Sequence, residues 1–338
     1  MKLRIAILSF WHVHAPGYAK KLSERTDCSI IAVWDEDAAR GSRFAEQLNV
    51  PYYSDLDEVL ASEEVDAVIV NASTTKHPEV IIAAAEAGKH IFTEKVLALR
   101  TEEADRIIAA AERRGIKLTV SLPKLGDEKT LYAKQVLEQE LLGRITYVRM
   151  RLAHDGLLPR EGAPEGWLPP HFVDRESSGG GALIDLGAHP MVLVYHFLGM
   201  PESVSAQFGY VTGREVEDNA VVTMQYRDGC MAVVEAGFAS RHSPALVEIY
   251  GTEGCLLIGK EAEIRSSLLP AGPCPGWIKP ERLPAGMPAP LDQWVEYVLY
   301  DKPTAIPIGH GLALTQLMEA AYLSAAERRI VAIPSNGD

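Results

Sequence analysis

Short apolar runs alternate with helical patterns through the first third of the chain. The runs at 5–10, 29–34, 67–71, 90–92 and 117–120 are too short for helices and read as buried strands. Between them the stretches 16–24, 37–48, 56–61, 78–87 and 101–114 carry helical spacing, and Thr101-Glu102-Glu103-Ala104 makes a good helix start. Strands joined by helices predict a parallel sheet covered on both faces, an α/β doubly wound domain of the Rossmann type over 1–122.

After about residue 122 the pattern changes, which marks a second domain over 123–338. The stretch 125–142 looks helical, and 145–154 alternates with Val148, Met150, Leu152 and His154 on one face. Glycine and proline crowd 159–170, a long loop. Strands then follow at 203–210, 220–226, 230–239, 245–250 and 255–258, with turn glycines at Gly229 and Gly254. These predict a large, mostly antiparallel open sheet in an α+β domain, closed by an amphipathic helix over 312–327.

Composition narrows the function classes. With 33 basic and 46 acidic side chains the net charge is −13, and no basic patch is evident, so neither nucleic acid nor an anionic membrane is an expected partner. Four scattered cysteines, Cys28, Cys230, Cys255 and Cys274, form no C-x-x-C pair; reduced thiols in a cytoplasmic protein fit this usage. No run is expected to approach a membrane span, and the apolar start is too short for a signal peptide.

The densest chemistry lies in Gly179-Gly180-Gly181-Ala182-Leu183-Ile184-Asp185-Leu186-Gly187-Ala188-His189. A carboxylate and an imidazole at i and i+4 share one helical face, where the acid can orient the ring and the ring can take a proton from a hydroxyl. Pro190 predicts a kink directly afterwards. Upstream, Glu94-Lys95 follows an apolar strand, where cofactor clefts of parallel sheets open. Taken with Glu217-Asp218-Asn219 before a strand, these residues resemble the Gfo/Idh/MocA family, the glucose-fructose oxidoreductase and inositol dehydrogenase group, over nearly the whole chain.

The resemblance implies an NAD(P)-dependent oxidoreductase moving hydride between a secondary alcohol of a sugar, polyol or related compound and nicotinamide. It implies Lys95, Asp185 and His189 as the catalytic residues. The family's Glu-Lys-Pro motif falls on Glu94-Lys95-Val96, so the usual third residue is absent. The family's open sheet often mediates oligomers, which implies a homodimer or homotetramer.

The first strand-to-helix turn departs from the dinucleotide pattern. Ser9, Trp11 and His14 stand where G-x-G-x-x-G places glycines, and an indole at Trp11 must swing away or block the phosphates. A remodelled loop of Ser9, Trp11, His12 and His14 is therefore expected at the cofactor. Asp35 ends the second strand, where an acid accepts the ribose 2′-hydroxyl; with Glu36 and Asp37 it repels a 2′-phosphate and favours NAD over NADP. Asn71, Ser73 and His77 stand at positions the family uses along the nicotinamide ribose, with Glu94 beside them. His12 and His14 offer two metal ligands without a third at recognisable spacing, so no metal is expected. On the substrate side the candidates are Lys124, His154, Trp167 and His171. Two alternatives stay open: an inactive sugar or nucleotide sensor, and NAD-assisted hydrolysis or elimination.

Overall fold

The computed structural model describes residues 2–269 and 276–334; Cys274 falls outside them. The chain divides into two compact units, Met1–Leu122 with Pro288–Thr315, and Pro123–Met287 with Gln316–Asp338.

Unit 1 holds β1 (Leu3–Leu8), α1 (Ala15–Ser23), β2 (Cys28–Trp34), α2 (Ala38–Leu48), β3 (Tyr52–Tyr53), α3 (Leu56–Ala61), β4 (Ala67–Val70), α4 (His77–Glu86), β5 (His90–Thr93), α5 (Thr101–Arg114) and β6 (Leu118–Val120). The six strands lie in the order β3-β2-β1-β4-β5-β6, all parallel. Strand order reverses beside β1, so its C-terminal end opens at a switch point where such sheets bind ligands. β1 and β4 read as unbroken apolar runs because both their faces are covered. Leu3, Ile5, Ile69 and Phe92 pack into one core cluster, and Ile7, Phe10, Val33 and Ala45 into another.

Unit 2 holds α6 (Glu128–Glu138), β7 (Ile145–Ala153), α7 (Arg175–Ser178), α8 (Ala188–Leu198), β8 (Ser203–Gly209), β9 (Asn219–Gln225), β10 (Met231–Gly237), β11 (Leu246–Gly251), β12 (Gly254–Ile258), β13 (Ala262–Ser266) and β14 (Val331–Ala332). Its sheet runs β13-β12-β11-β7-β10-β9-β8-β14, antiparallel except where β10 pairs with β7. Val148 and Met150, Val234 and Ala236, and Val222 and Met224 fill the inner face. On the outer face Arg149 and Arg151 bridge to Glu235 at 2.7 and 3.0 Å, with Val221 and Met231 about half exposed beside them.

Two further helices complete the chain, α9 (Pro290–Tyr300) and α10 (Gly309–Glu327). The segment 288–315 departs from the sequence-based division, which assigned it to the second domain. The reason is packing: Leu291, Trp294 and Val295 of α9 join the core of Leu3, Ile5 and Phe92. The helix expected over 125–142 is shorter, because Pro123–Gly126 forms a 3₁₀ turn before α6. The expectation that no stretch suits a membrane span is also corrected. By length and composition Arg175–Leu198 is apolar enough to cross one, and 61% of its 18-residue apolar window is buried inside the fold. Contacts of α8 with β7 and β10 account for that apolar character.

Candidate active site

In unit 1, β1 ends in a turn that closes on its own backbone amides. Ser9 sits at φ 76°, the left-handed region glycine adopts most readily, so the first glycine position keeps its conformational demand without its glycine. Ser9 N donates to Trp34 O at 2.6 Å, and His12 N to Asn71 O at 3.1 Å. Phe10 N donates to Asp35 Oδ2 at 2.8 Å, Trp11 N to Ser9 Oγ at 3.0 Å, and His14 N to His12 Nδ1 at 3.2 Å. Among the described residues, Val13 alone between Ser9 and His14 has an amide with no acceptor. Phe10 stacks on Phe44 with centroids 4.0 Å apart, and Trp11 is 6% exposed. Aromatic packing thus anchors the turn where glycines would let it approach a phosphate.

Asp35 lies at the expected strand end, directly after β2. Its side chain is fully buried. Four donors reach it: Phe10 N, Asp37 N at 2.8 Å, Arg40 Nε at 3.0 Å and Arg40 Nη2 at 2.6 Å. A carboxylate offers about four lone-pair sites, and four protein donors reach Asp35, which ties the first turn to the start of α2.

Glu94 is the hub of the second cluster. It closes β5 with a side chain 1% exposed, taking His14 Nδ1 at 3.0 Å, the Tyr18 hydroxyl, and Lys95 N at 3.2 Å, with His12 Nε2 at 3.8 Å. Burial alone would raise its pKa. The His12 and His14 rings and Lys95 outweigh burial and hold it well below the ordinary carboxylate value. Burial, then the Glu94 charge, pushes the Tyr18 hydroxyl far up, so it stays protonated as a donor. Ser121 Oγ lies 2.9 Å from the same hydroxyl. Sequence reasoning missed Tyr18, although its i+4 spacing from His14 at the start of α1 was visible.

His12, His14 and Glu94 bring possible ligand atoms within 4.8 Å of one another. Because His12 Nδ1 accepts the His14 amide, its hydrogen sits on Nε2, facing Glu94. The His14 amide to His12 Nδ1 and His14 Nδ1 to Glu94 Oε1 are the hydrogen bonds that link the trio.

The Lys95–Val96 peptide is cis although valine stands in the third motif position. His77 is buried, and its Nδ1 donates to Val96 O at 2.8 Å. Burial lowers its pKa, so the ring stays neutral. His77 therefore braces the lysine segment through its Nδ1. Ser73 is buried next to the 3₁₀ turn Thr74–Lys76, with its hydroxyl 3.5 Å from Thr75 Oγ1. Asn71 is fully buried, with Nδ2 on Ser9 O at 3.4 Å and an Oδ1 that finds no donor among the described residues. A buried orphan acceptor at a strand end, whose backbone carbonyl takes His12 N beside the half-exposed Val13, fits a bound polar group such as a dinucleotide.

In unit 2 the glycine run permits close approach. A Cβ on Gly181 would lie 2.0 Å from Glu217 O, and one on Gly180 2.0 Å from the Tyr322 hydroxyl. Glu217 is buried and accepts from Gly181 N and Leu183 N at 3.0 Å each and from Tyr322 at 2.6 Å. The first two glycines after Gly179 therefore seat the helix on Glu217. The helix enters through a π turn, Leu183–Gly187, before α8 begins. Pro190 cannot donate back into this turn, so the irregularity precedes the proline instead of following it. Asp185 lies in the π turn and His189 is the second residue of α8, so the pair is not on one regular α-helical face.

His189 lines a cavity of about 460 Å³ with Lys124, Met150, Leu152, Leu193 and Val247. Lys124 is half exposed and pairs with Asp127 at 2.9 Å. His154 stacks on Phe238 at 5.1 Å and tilts against Trp167 at 4.6 Å; Gly156 N donates to its Nδ1, which leaves the hydrogen on Nε2. Burial lowers its pKa, opposed by the negative charge of Asp185. His154 and Trp167 are thus neighbours within reach of the Asp185 charge, and Trp167 Nε1 is held by Asp155 at 3.1 Å. His171 packs at a tilt on Phe172, centroids 5.1 Å apart, and its carbonyl accepts from Ser177.

Residues 10–122 match the model of the oxidoreductase family with an NAD-binding Rossmann fold, and residues 130–257 match that of the GFO/IDH/MocA C-terminal domain. The chain is 30% identical to 2,7-anhydro-N-acetylneuraminate hydratase of Mediterraneibacter gnavus, across 70% of this chain and 62% of that one. It is 26% identical to myo-inositol 2-dehydrogenase of Thermotoga maritima, across 75% and 74%. Among solved structures, GenD2 from gentamicin A biosynthesis in complex with NAD superimposes with a TM-score of 0.80 at 26% identity, covering 99% of this chain and 97% of that one. With a Rossmann unit, an open-sheet unit and family matches in both, the chain belongs to the Gfo/Idh/MocA family of NAD(P)-dependent oxidoreductases.

Proposed function

We propose that this protein oxidises a secondary alcohol of a sugar, polyol or related compound, with NAD as hydride acceptor. The observation that carries the reading is His189 on the wall of a concave cavity, beside Lys124 and the apolar side chains of Met150, Leu152 and Val247. The relative named for inositol oxidation supports the substrate class.

Bound NAD would supply the hydride acceptor. The residues of this chain move the proton and hold charge. His189 takes the hydroxyl proton, because an imidazole titrates near neutral pH. Lys95, held through its amide by Glu94, stabilises negative charge developing on the alcohol oxygen. Asp185 supports the charged imidazole, and its field also reaches His154. Lys124, His154, Trp167 and His171 are the substrate-side residues of this reading. Ser9, Trp11, His12, His14, Asn71 and Ser73 form or flank the turn that receives the cofactor.

Loss of the side chain of His189 or Lys95 should cost general acid–base or electrostatic catalysis, about 10²–10⁴-fold in kcat. The test is NADH formation with a panel of polyols and sugars, alongside calorimetric NAD binding. Expected is near-complete loss of turnover in His189→Ala and in Lys95→Ala with NAD binding kept; full turnover in either variant removes the role given to that residue. A second reading, elimination or hydration by transient oxidation, draws on the relative named as a hydratase. Net product without net NADH would favour it.

The outer face of the eight-stranded sheet, with Val221 and Met231 about half exposed, suits a second copy, and we assign the protein as a homodimer or homotetramer. The scattered cysteines, three of them free in the structure, fit a reducing cytoplasmic setting.

A further inference from the structure

Unit 2 holds a second cavity, of about 860 Å³, along β8 and the end of α10. It shares no lining residue with the cavity of His189. Arg175, Arg328 and Arg329 line it together with Phe208, Tyr210 and Tyr322, and no carboxylate stands in its wall among the described residues. The arginines arrive from two distant segments of the chain, so the sequence shows no basic run there.

The charges around the cavity do not cancel. Arg329 pairs with Glu327. Arg175 gives an N–H to the backbone carbonyl of Glu215 at 3.5 Å, and neither it nor Arg328 meets a carboxylate among the described residues. Glu176, Glu215 and Glu327 adjoin the arginines in the chain, but none of them lines the cavity. Two guanidinium charges therefore stand uncompensated in a chain whose net charge is −13. The carbonyl end of α10 sets about half a negative charge against them, which leaves a surplus of roughly one and a half.

The wall is held in place before any ligand arrives. Ser324 Oγ accepts Ala206 N at 3.0 Å and donates to Arg329 O at 2.6 Å, and Arg329 N donates to Ser324 O at 3.3 Å. These bonds fasten the backbone carrying two of the arginines to β8, which lowers the ordering cost of binding. The Tyr322 hydroxyl is already given to Glu217, so Tyr322 has its ring left to offer. Phe208 meets that ring edge-on with centroids 5.0 Å apart, and Tyr210 is about half exposed.

We propose that this cavity is a second small-molecule site, taking a phosphorylated sugar or polyol, with the guanidiniums on the phosphate and the aromatic wall against the carbon skeleton. A phosphomonoester carries about −1.5 to −2 at neutral pH, which matches the surplus, whereas a single carboxylate carries half of that. Guanidinium forks take phosphate oxygens in pairs. Aromatic rings cover the C–H surface of the skeleton, and the volume is that of a small-molecule site.

The test is calorimetric titration of the full-length protein at low salt and pH 7.5 with glucose 6-phosphate, inorganic phosphate and glucose. Wild type is compared with Arg175→Gln and Arg328→Gln, whose melting midpoints should stay close to wild type because both side chains are exposed. Glucose 6-phosphate should bind wild type more tightly than either other probe, and each variant should weaken it about tenfold or more. Arg328→Lys, which keeps the charge without the fork, should fall between wild type and Arg328→Gln. Binding should also weaken from pH 7.5 to 5.5, as the phosphate gains a proton near pH 6. No binding of glucose 6-phosphate overturns the proposal. So does equal affinity for inorganic phosphate, which would mean an anion held without its skeleton, and so does affinity unchanged in both glutamine variants, which would place the phosphate elsewhere on the protein.

Discussion

Replacing Glu94 by glutamine should destabilise unit 1 by an amount the hydrogen-bond geometry sets. The carboxylate takes His14 Nδ1 at 3.0 Å and the Tyr18 hydroxyl on one oxygen, and Lys95 N at 3.2 Å on the other, with His12 Nε2 3.8 Å away. A glutamine keeps one acceptor oxygen and turns an NH₂ toward the remaining donors, so whichever way it flips, a buried N–H or O–H faces another donor. Each donor so stranded costs about 1–3 kcal/mol, and the surviving bonds lose their charge assistance, worth roughly half their strength. A total near 3 kcal/mol follows, which for a unit of this size is a fall of about 6–12 °C in thermal midpoint. The assay is calorimetric or circular-dichroism melting at pH 7.5 of Glu94→Gln against wild type. Tyr18→Phe serves as a second, milder variant that removes one donor and should cost about 1–2 kcal/mol. A shift under about 2 °C in Glu94→Gln would mean the carboxylate is hydrated rather than clamped, and the hub as described would be wrong.

Acid should weaken the fold by a stated sign. His77 has a pKa lowered by burial, so below the ordinary histidine value the unfolded chain takes up a proton that the folded chain refuses. Stability is then complete above that value and falls as pH drops toward the folded pKa, with His90 and His154 acting in the same direction. His77→Asn keeps a donor for Val96 O without titrating, and melting midpoints from pH 7 to 5 should fall less steeply in it; an identical slope would show that His77 does not contribute. Gly181→Ala should lower the midpoint by about 3 kcal/mol equivalent, the upper part of the overpacking range, because its Cβ would meet Glu217 backbone at 2.0 Å. An unmoved melting curve would contradict that close approach.

By itself the sequence determined the doubly wound order of the first unit, since strands such as Ile5–Leu8 and Ala67–Val70 are apolar on both faces only when helices cover both. Alternation likewise exposed the sheet of the second unit, and Lys95, Asp185 and His189 stood out because their chemistry exceeds what packing requires. What it could not determine were facts of long-range geometry. That α9 belongs to the first core depends on Trp294 meeting Phe92 from about 200 positions away in the sequence, which no local pattern encodes. That Asp35 is held by Phe10 N and Arg40 depends on where its carboxylate points. Residue identity fixes how many hydrogen bonds a side chain can make; only the tertiary structure decides which of them the protein has already used.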